Sequence, residues 1–196
     1  QSRDLIPGAR LVELDTDIHL IWLSDVIDVI TREIEAFITQ STATANVERA
    51  LATVLAVADP NPRHRRETTI DTIIERFGGC RLPPQVPGRA KATFDGPARA
   101  IHCALALVAE LGPEDQNVAV AVHSGECEVH SHGLRGVAVD LAEQLAASTP
   151  PGQVLVTQTV RDLTVGSTIQ LEPRGRRSFK GIPGDWDILA VTSIDQ

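Results

Sequence analysis

The sequence predicts an α+β domain with a mixed, largely antiparallel sheet flanked by helices, preceded by a strand-helix appendage. Three observations lead there. Strand-type and helix-type periodicities alternate along most of the 196 residues. Several neighbouring strand candidates are joined by turns too short for a helical crossover, which favours antiparallel pairing over a doubly wound sheet. A composition of 42% hydrophobic and 22% charged residues is that of a chain that buries a core. No apolar run approaches the ~20 residues that cross a bilayer, and the start does not resemble a signal peptide, so a cytoplasmic protein without membrane contact is expected. A net charge of −8 argues against a phosphate-backbone binder, which relies on clustered Lys and Arg. Cys80, Cys103 and Cys127 are odd in number and lack metal-type pairing, which predicts reduced thiols. The absence of Met, even at position 1, predicts that the chain is part of a longer polypeptide.

The elements follow in order. Ala9–Leu14 reads as a strand. Ser24 then caps a helix whose Val26, Ile27, Ile30, Ile34, Phe37 and Ile38 form one apolar stripe. Residues 41–48, rich in Ser, Thr and Ala, read as a linker between this appendage (1–40) and a second domain (49–196). Leu51–Ala58 is a short apolar run broken only by Thr53, as suits a central strand covered on both faces. Glu67–Phe77 carries Ile70, Ile73, Ile74 and Phe77 at helical spacing and stops at Gly78-Gly79. After the prolines at 83, 84 and 87 comes a strand, Ala90–Phe94. Asp95-Gly96-Pro97 opens a helix along Ile101, Ala104, Leu105, Val108 and Leu111, with a stop predicted at Gly112-Pro113. Val118–Val122 and Cys127–His130 read as two strands around a turn at Ser124-Gly125. A helix over Gly136–Ala147 ends at the Thr149–Gly152 turn. A strand at Gln153–Thr157, a helix near Thr159–Leu163 and strands at Ile169–Glu172 and Trp186–Val191 complete the chain.

From Leu51 onward the phrases ATVLAV, RFGG, ATFDGPARAIHCALAL, VAVHSGECEV, GVAVDLAEQLA, PPGQVLVTQTVRDL and FKGIPGDWDILAV resemble, in order and spacing, the class III adenylyl/guanylyl cyclase domain. The resemblance implies a ferredoxin-like core that dimerises head to tail, as a homodimer or heterodimer, with nucleotide between subunits. It also implies chemistry in which two Asp residues hold two metal ions, Mg or Mn, while the 3′-oxygen of a nucleoside triphosphate attacks the α-phosphorus. On the family's register the first metal Asp falls on Ala58, with Asp59 one residue further and turned to the opposite face. The second falls on Gly88. The base-selecting Lys falls among Pro83, Pro84 and Gln85, and its partner near His132–Leu134. The Asn and Arg that stabilise the transition state fall on Asp140 and Gln144, and neither replacement supplies the cation that developing phosphate charge requires. The resemblance thus implies a degenerate domain without a cofactor, a regulatory or dimerisation module. The alternative is a residually active cyclase that makes cAMP from ATP through displaced groups such as Asp59, Asp95 or Asp140.

The segment IPGARLVELDTDIHLIWLSDVIDVITREIEAFI is similar to the last strand, histidine loop and final helix of an α/β-hydrolase. His19 stands where the catalytic base would be. No Gly-x-Ser-x-Gly elbow accompanies it, so this resemblance implies a fusion in which any esterase chemistry involves residues upstream. Other clusters are weaker. Strand alternation divides His123 and Cys127 from Glu126, Glu128, His130 and His132, which argues against one metal site. Arg63-His64-Arg65-Arg66 reads as a solvated basic turn. Arg174, Arg176, Arg177 and Lys180 form a second basic stretch, with Lys180 a weak candidate for triphosphate contact. Phe94, Ile101 and Trp186 read as core.

Overall fold

The computed structural model describes residues 48–60, 62, 64–83, 88–115, 118–130 and 133–194. The appendage with His19, nearly all of the linker, the 84–87 passage and His132 lie outside the described residues. Eight strands and four helices follow in the order β1 (Arg49–Ala58), α1 (His64–Arg76), β2 (Cys80–Leu82), β3 (Arg89–Phe94), α2 (Pro97–Asp115), β4 (Ala119–His130), β5 (Gly133–Arg135), α3 (Val137–Ala147), β6 (Val154–Thr157), α4 (Gln158–Leu163), β7 (Ile169–Phe179) and β8 (Ile182–Ile194). They form one sheet in the order β2-β3-β1-β4-β6-β8-β7, with β5 pairing β4. Only β4 and β6 run parallel; the other neighbours are antiparallel. The α+β architecture with a mixed, largely antiparallel sheet is therefore the one the sequence predicts.

The central strand shows why. Alternation along β1 sends Leu55 and Val57 to one face and Val54 and Ala56 to the other, and both faces are covered. On the first, Ile70, Ile73 and Ile74 of α1 and Ile101, Ala104 and Leu107 of α2 pack on Val120, Val122, Val154 and Val156. On the second, α3 lays Ala138, Ala142, Leu145 and Ala146 against Ala56, Ala121 and Ala190. Small side chains on both partners let α3 approach the sheet closely, whereas the α1/α2 face is filled by branched residues.

Four boundaries depart from the sequence reading. β2 was hidden because three residues beside a Gly-Gly pair carry no period. Residues 119–130 are one strand, not two around a turn. Ala52 pairs with Gly125 and Thr53 with Ser124 across β1, and the Thr53 and Ser124 hydroxyls share a 2.9 Å hydrogen bond. Gly125 is there for close approach: a Cβ would lie 2.9 Å from His123 Nε2 and 3.0 Å from the Ala138 Cβ. α2 runs through Gly112-Pro113 to Asp115, since a proline in the last turn forfeits only one backbone bond. β7 and β8 extend into a long ribbon whose outer part is mostly exposed and interrupted by register shifts, with Phe179 and Trp186 packed toward the α3 face and Ile182 buried; Arg176 and Asp187 bridge it with two hydrogen bonds of 3.1 and 3.2 Å.

α1 ends in a Schellman turn: Gly78 at φ 70 donates to Glu75 O and Gly79 to Ile74 O, both at 2.9 Å. At Gly79 a Cβ would meet the Phe94 ring at 2.5 Å and Ile74 Cγ2 at 2.9 Å. Gly79→Ala is expected to lower the unfolding free energy in urea by about 1–3 kcal/mol, with partial recovery in the Gly79→Ala, Phe94→Leu double variant. An unchanged midpoint in the single variant would show that Phe94 does not seat against this turn.

Candidate functional site

The two metal positions singled out by the resemblance, Ala58 and Gly88, meet at one corner of the sheet. Ala58 ends β1 and pairs with Arg89, so Gly88 lies beside it. The Ala58 side chain packs toward the α3 face. Asp59, the next residue, is turned the other way and is buried at 6% exposure. Its N–H donates to Gly88 O at 2.8 Å, and its carboxylate meets Arg66 Nε at 2.9 Å. Arg66 was read in a solvated turn; it belongs instead to α1, which starts at His64, and only 11% of its side chain is exposed. The reason is chemical: a buried carboxylate requires a charged partner. Gly88 adopts φ 76, and a Cβ there would stand 2.3 Å from Asp59 O and 3.2 Å from Pro62. The corner borders cavities of about 310 and 630 Å³.

A pair of divalent ions needs converging carboxylate oxygens. Here a methyl group and a hydrogen stand at the two positions, and the neighbouring carboxylate is bound to a guanidinium. The donor set does not fit such a pair. Among the described residues no group of three or more His, Cys, Asp or Glu side chains gathers as metal ligands would. Asp95 lies at the opposite end of β3 from Gly88, exposed, in an i,i+4 pair with Arg99 at 3.0 Å.

Asp140 and Gln144 share a face of α3 one turn apart. Asp140 is exposed in the first turn. Gln144 donates from Nε2 to Lys180 O and accepts at Oε1 from Lys180 N–H, both at 3.0 Å. Both ends of its amide are thus occupied by the β7–β8 turn, and the exposed Lys180 is held there by its backbone. The other basic residues of that ribbon are engaged: Arg174 with Glu172, Arg176 with Asp187, and Arg177 with Ser148 O. The residue that sequence reading missed is Lys91, a buried cation whose Nζ meets Glu143 of α3 at 2.5 Å. A lysine between apolar neighbours in a strand was the available signal.

A second group of polar residues lies at the other end of α3. His123 is 3% exposed. Its Nδ1 and Thr157 Oγ1 are hydrogen-bonded at 2.7 Å, and its ring meets Trp186 edge to face at 5.4 Å and 85°. Burial depresses its pKa from 6.5 to about 4, so the ring is neutral near pH 7. Cys127 lies on the same side, buried. Glu126 and Glu128 both meet Arg49, at 3.3 and 3.8 Å, and His130 Nε2 lies 3.5 Å from Glu128. Burial also raises the Cys127 pKa, and it lifts that of Cys103 to about 12, so both thiols are structural; Cys80 is exposed.

No family model matches the sequence, and no curated protein matches it. Solved structures do. The adenylyl cyclase CyaB from P. aeruginosa superposes with a TM-score of 0.68 at 15% identity, over 76% of this chain and 97% of that one. The fold is that of the class III nucleotide cyclases. A guanylate cyclase domain of RhGC from Catenaria anguillulae in complex with GTP gives 0.64 at 16% identity, over 76% and 100% of the two chains. An adenylate/guanylate cyclase/hydrolase from Silicibacter pomeroyi gives 0.64 at 22% identity, over 74% and 98%. No helix among the described residues is long and apolar enough to cross a membrane.

His123 carries a pH dependence. Because its folded pKa is below the unfolded value, the unfolded chain binds the extra proton between those two pH values, and stability falls as pH drops through that window. With 6.5 and about 4 as the limits, the loss is expected to approach roughly 3 kcal/mol. His123→Gln should flatten the slope of urea-derived stability against pH; a parallel slope in the variant would contradict the assignment.

Proposed function

We propose that this chain is a degenerate class III cyclase homology domain that acts as a regulatory or dimerisation module, without making a cyclic nucleotide. The observation that carries the reading is the sheet corner. On the family's register the metal carboxylates are replaced by Ala58 and Gly88, and the adjacent Asp59 is held by Arg66. Asp140 and Gln144 support it from the other half of the nucleotide site, since an anion and a neutral amide replace the ribose-holding and charge-stabilising groups. Gln144 also has a structural task that a phosphate contact would interrupt. The module pairs as a homodimer or heterodimer and is located in the cytoplasm. The resemblance of residues 1–40 to the end of an α/β-hydrolase supports a pairing with a hydrolase-like domain in which His19 is the base.

The protein is expected to form no cAMP or cGMP from ATP or GTP with Mn²⁺, and to sediment as a dimer at micromolar concentration. Ala58→Asp with Gly88→Asp should not create activity, because the second side chain collides with the Asp59 carbonyl. Turnover that a chelator abolishes and that survives repurification would overturn the reading and establish the residually active cyclase through Asp59, Asp95 or Asp140.

A further inference from the structure

The cavity at the start of α3 takes no part in the chemistry of the sheet corner. It holds about 450 Å³, within the range of small-molecule sites. Much of its wall is apolar or glycine, from Gly125, Cys127, Gly136, Val137, Ala138 and Trp186. Polar groups without protein partners converge on it from two independent directions. On α3, the N-cap is Gly136, which offers no side chain to cap the helix. The Val137 and Ala138 N–H groups precede the first bond of the helix, Val139 N–H to Gly136 O at 3.0 Å, and so have no intrahelical acceptor. On β4, His123 is almost wholly buried and bonded only through Nδ1. Its Nε2 lies against Gly125 in the cavity wall and makes no hydrogen bond to any described residue. In the tautomer in which the Thr157 hydroxyl donates to Nδ1, Nε2 carries the ring proton and becomes a third donor.

Donors without acceptors inside an apolar wall call for a ligand that brings oxygen acceptors on a flat apolar body. The positive end of α3 favours an anion. At the rim, Glu126 and Glu128 share the single cation of Arg49, and the residual negative charge disfavours a multiply charged phosphate. We propose that this cavity binds a small aromatic monocarboxylate, its carboxylate on the Val137 and Ala138 N–H groups and His123 Nε2, its ring against Trp186. The site is independent of the degenerate-cyclase reading: it uses neither Ala58, Gly88, Asp140 nor Gln144.

Benzoate is the probe, titrated into the full chain and followed in the amide NMR spectrum. Saturable shifts centred on Val137 and Ala138 are expected, with a Kd of about 1 mM, as suits so small a ligand. Val137→Pro removes one donor while suiting the first helical position, and the Val137 side chain is 45% exposed. It should weaken binding about tenfold at unchanged thermal midpoint, whereas Val137→Ala should bind as the wild type does. Benzamide should bind about tenfold more weakly than benzoate, for loss of the charge, and inorganic phosphate should leave these amides unmoved. The proposal is overturned by the absence of saturable shifts, by equal affinity in Val137→Pro or for benzamide, or by phosphate shifting the same amides as strongly as benzoate.

Discussion

The ion pair between Asp59 and Arg66 governs what the rest of this structure can do. It lies where β1 ends and α1 begins, and it is joined to β3 through the Asp59 N–H on Gly88 O. A buried carboxylate that lost its guanidinium would leave an uncompensated charge costing about 3–5 kcal/mol, so the corner is stable only with the pair intact. That requirement fixes the Asp59 carboxylate on the α1 side. Ala58 is left facing α3, and the Asp59 carbonyl is directed at the space a side chain on Gly88 would enter. The charge of Asp59 is committed to joining a strand, a helix and a turn.

Polar side chains take structural roles on α3 as well. Gln144 ties the helix to the Lys180 backbone, and Glu143 ties it to the buried Lys91 of β3. These polar ties flank an interface of small residues that contributes little apolar area for each side chain. Most of the hydrophobic stabilisation comes from the opposite face, where Ile73, Ile74, Ile101 and Leu107 are almost fully buried. A fold so supported does not depend on the charged groups at its corner, and it superposes on a cyclase at 15% identity. Fold and chemistry are separable in this way throughout protein structure.

How much was legible in the sequence follows from how local each signal is. β1 was legible because burial on both faces makes a strand almost continuously apolar, and α3 because its apolar period is unbroken up to the Thr149–Gly152 turn. β4 was split in the reading because Ser124-Gly125 looks like a turn, when the glycine is needed for the approach of His123 and Ala138. The outer β7–β8 ribbon was invisible because register shifts and a run of exposed residues interrupt its alternation. At the site, the register of Ala58 and Gly88 could be reached by family resemblance. What Asp59, Lys91 and Gln144 do could not: Arg66 stands in a stretch that reads as a solvated turn, the partners of Lys91 and Gln144 lie far along the chain, 36 residues away in the case of Gln144 and Lys180, and composition carries no record of such pairing. His123 was seen only as one side of an alternating strand; its hydrogen bond to Thr157 and its contact with Trp186 bring together three strands that are distant in sequence.

With this donor set the β1–β3 corner is expected to hold no divalent cation. Titration of the protein with Mn²⁺, following the magnetic-resonance signal of the free ion, is the deciding measurement. Free Mn²⁺ should track total Mn²⁺ up to about 1 mM, as it does for a site with Kd well above that. A saturable, stoichiometric loss of the free-ion signal that Mg²⁺ reverses and that Asp59→Asn abolishes would contradict it.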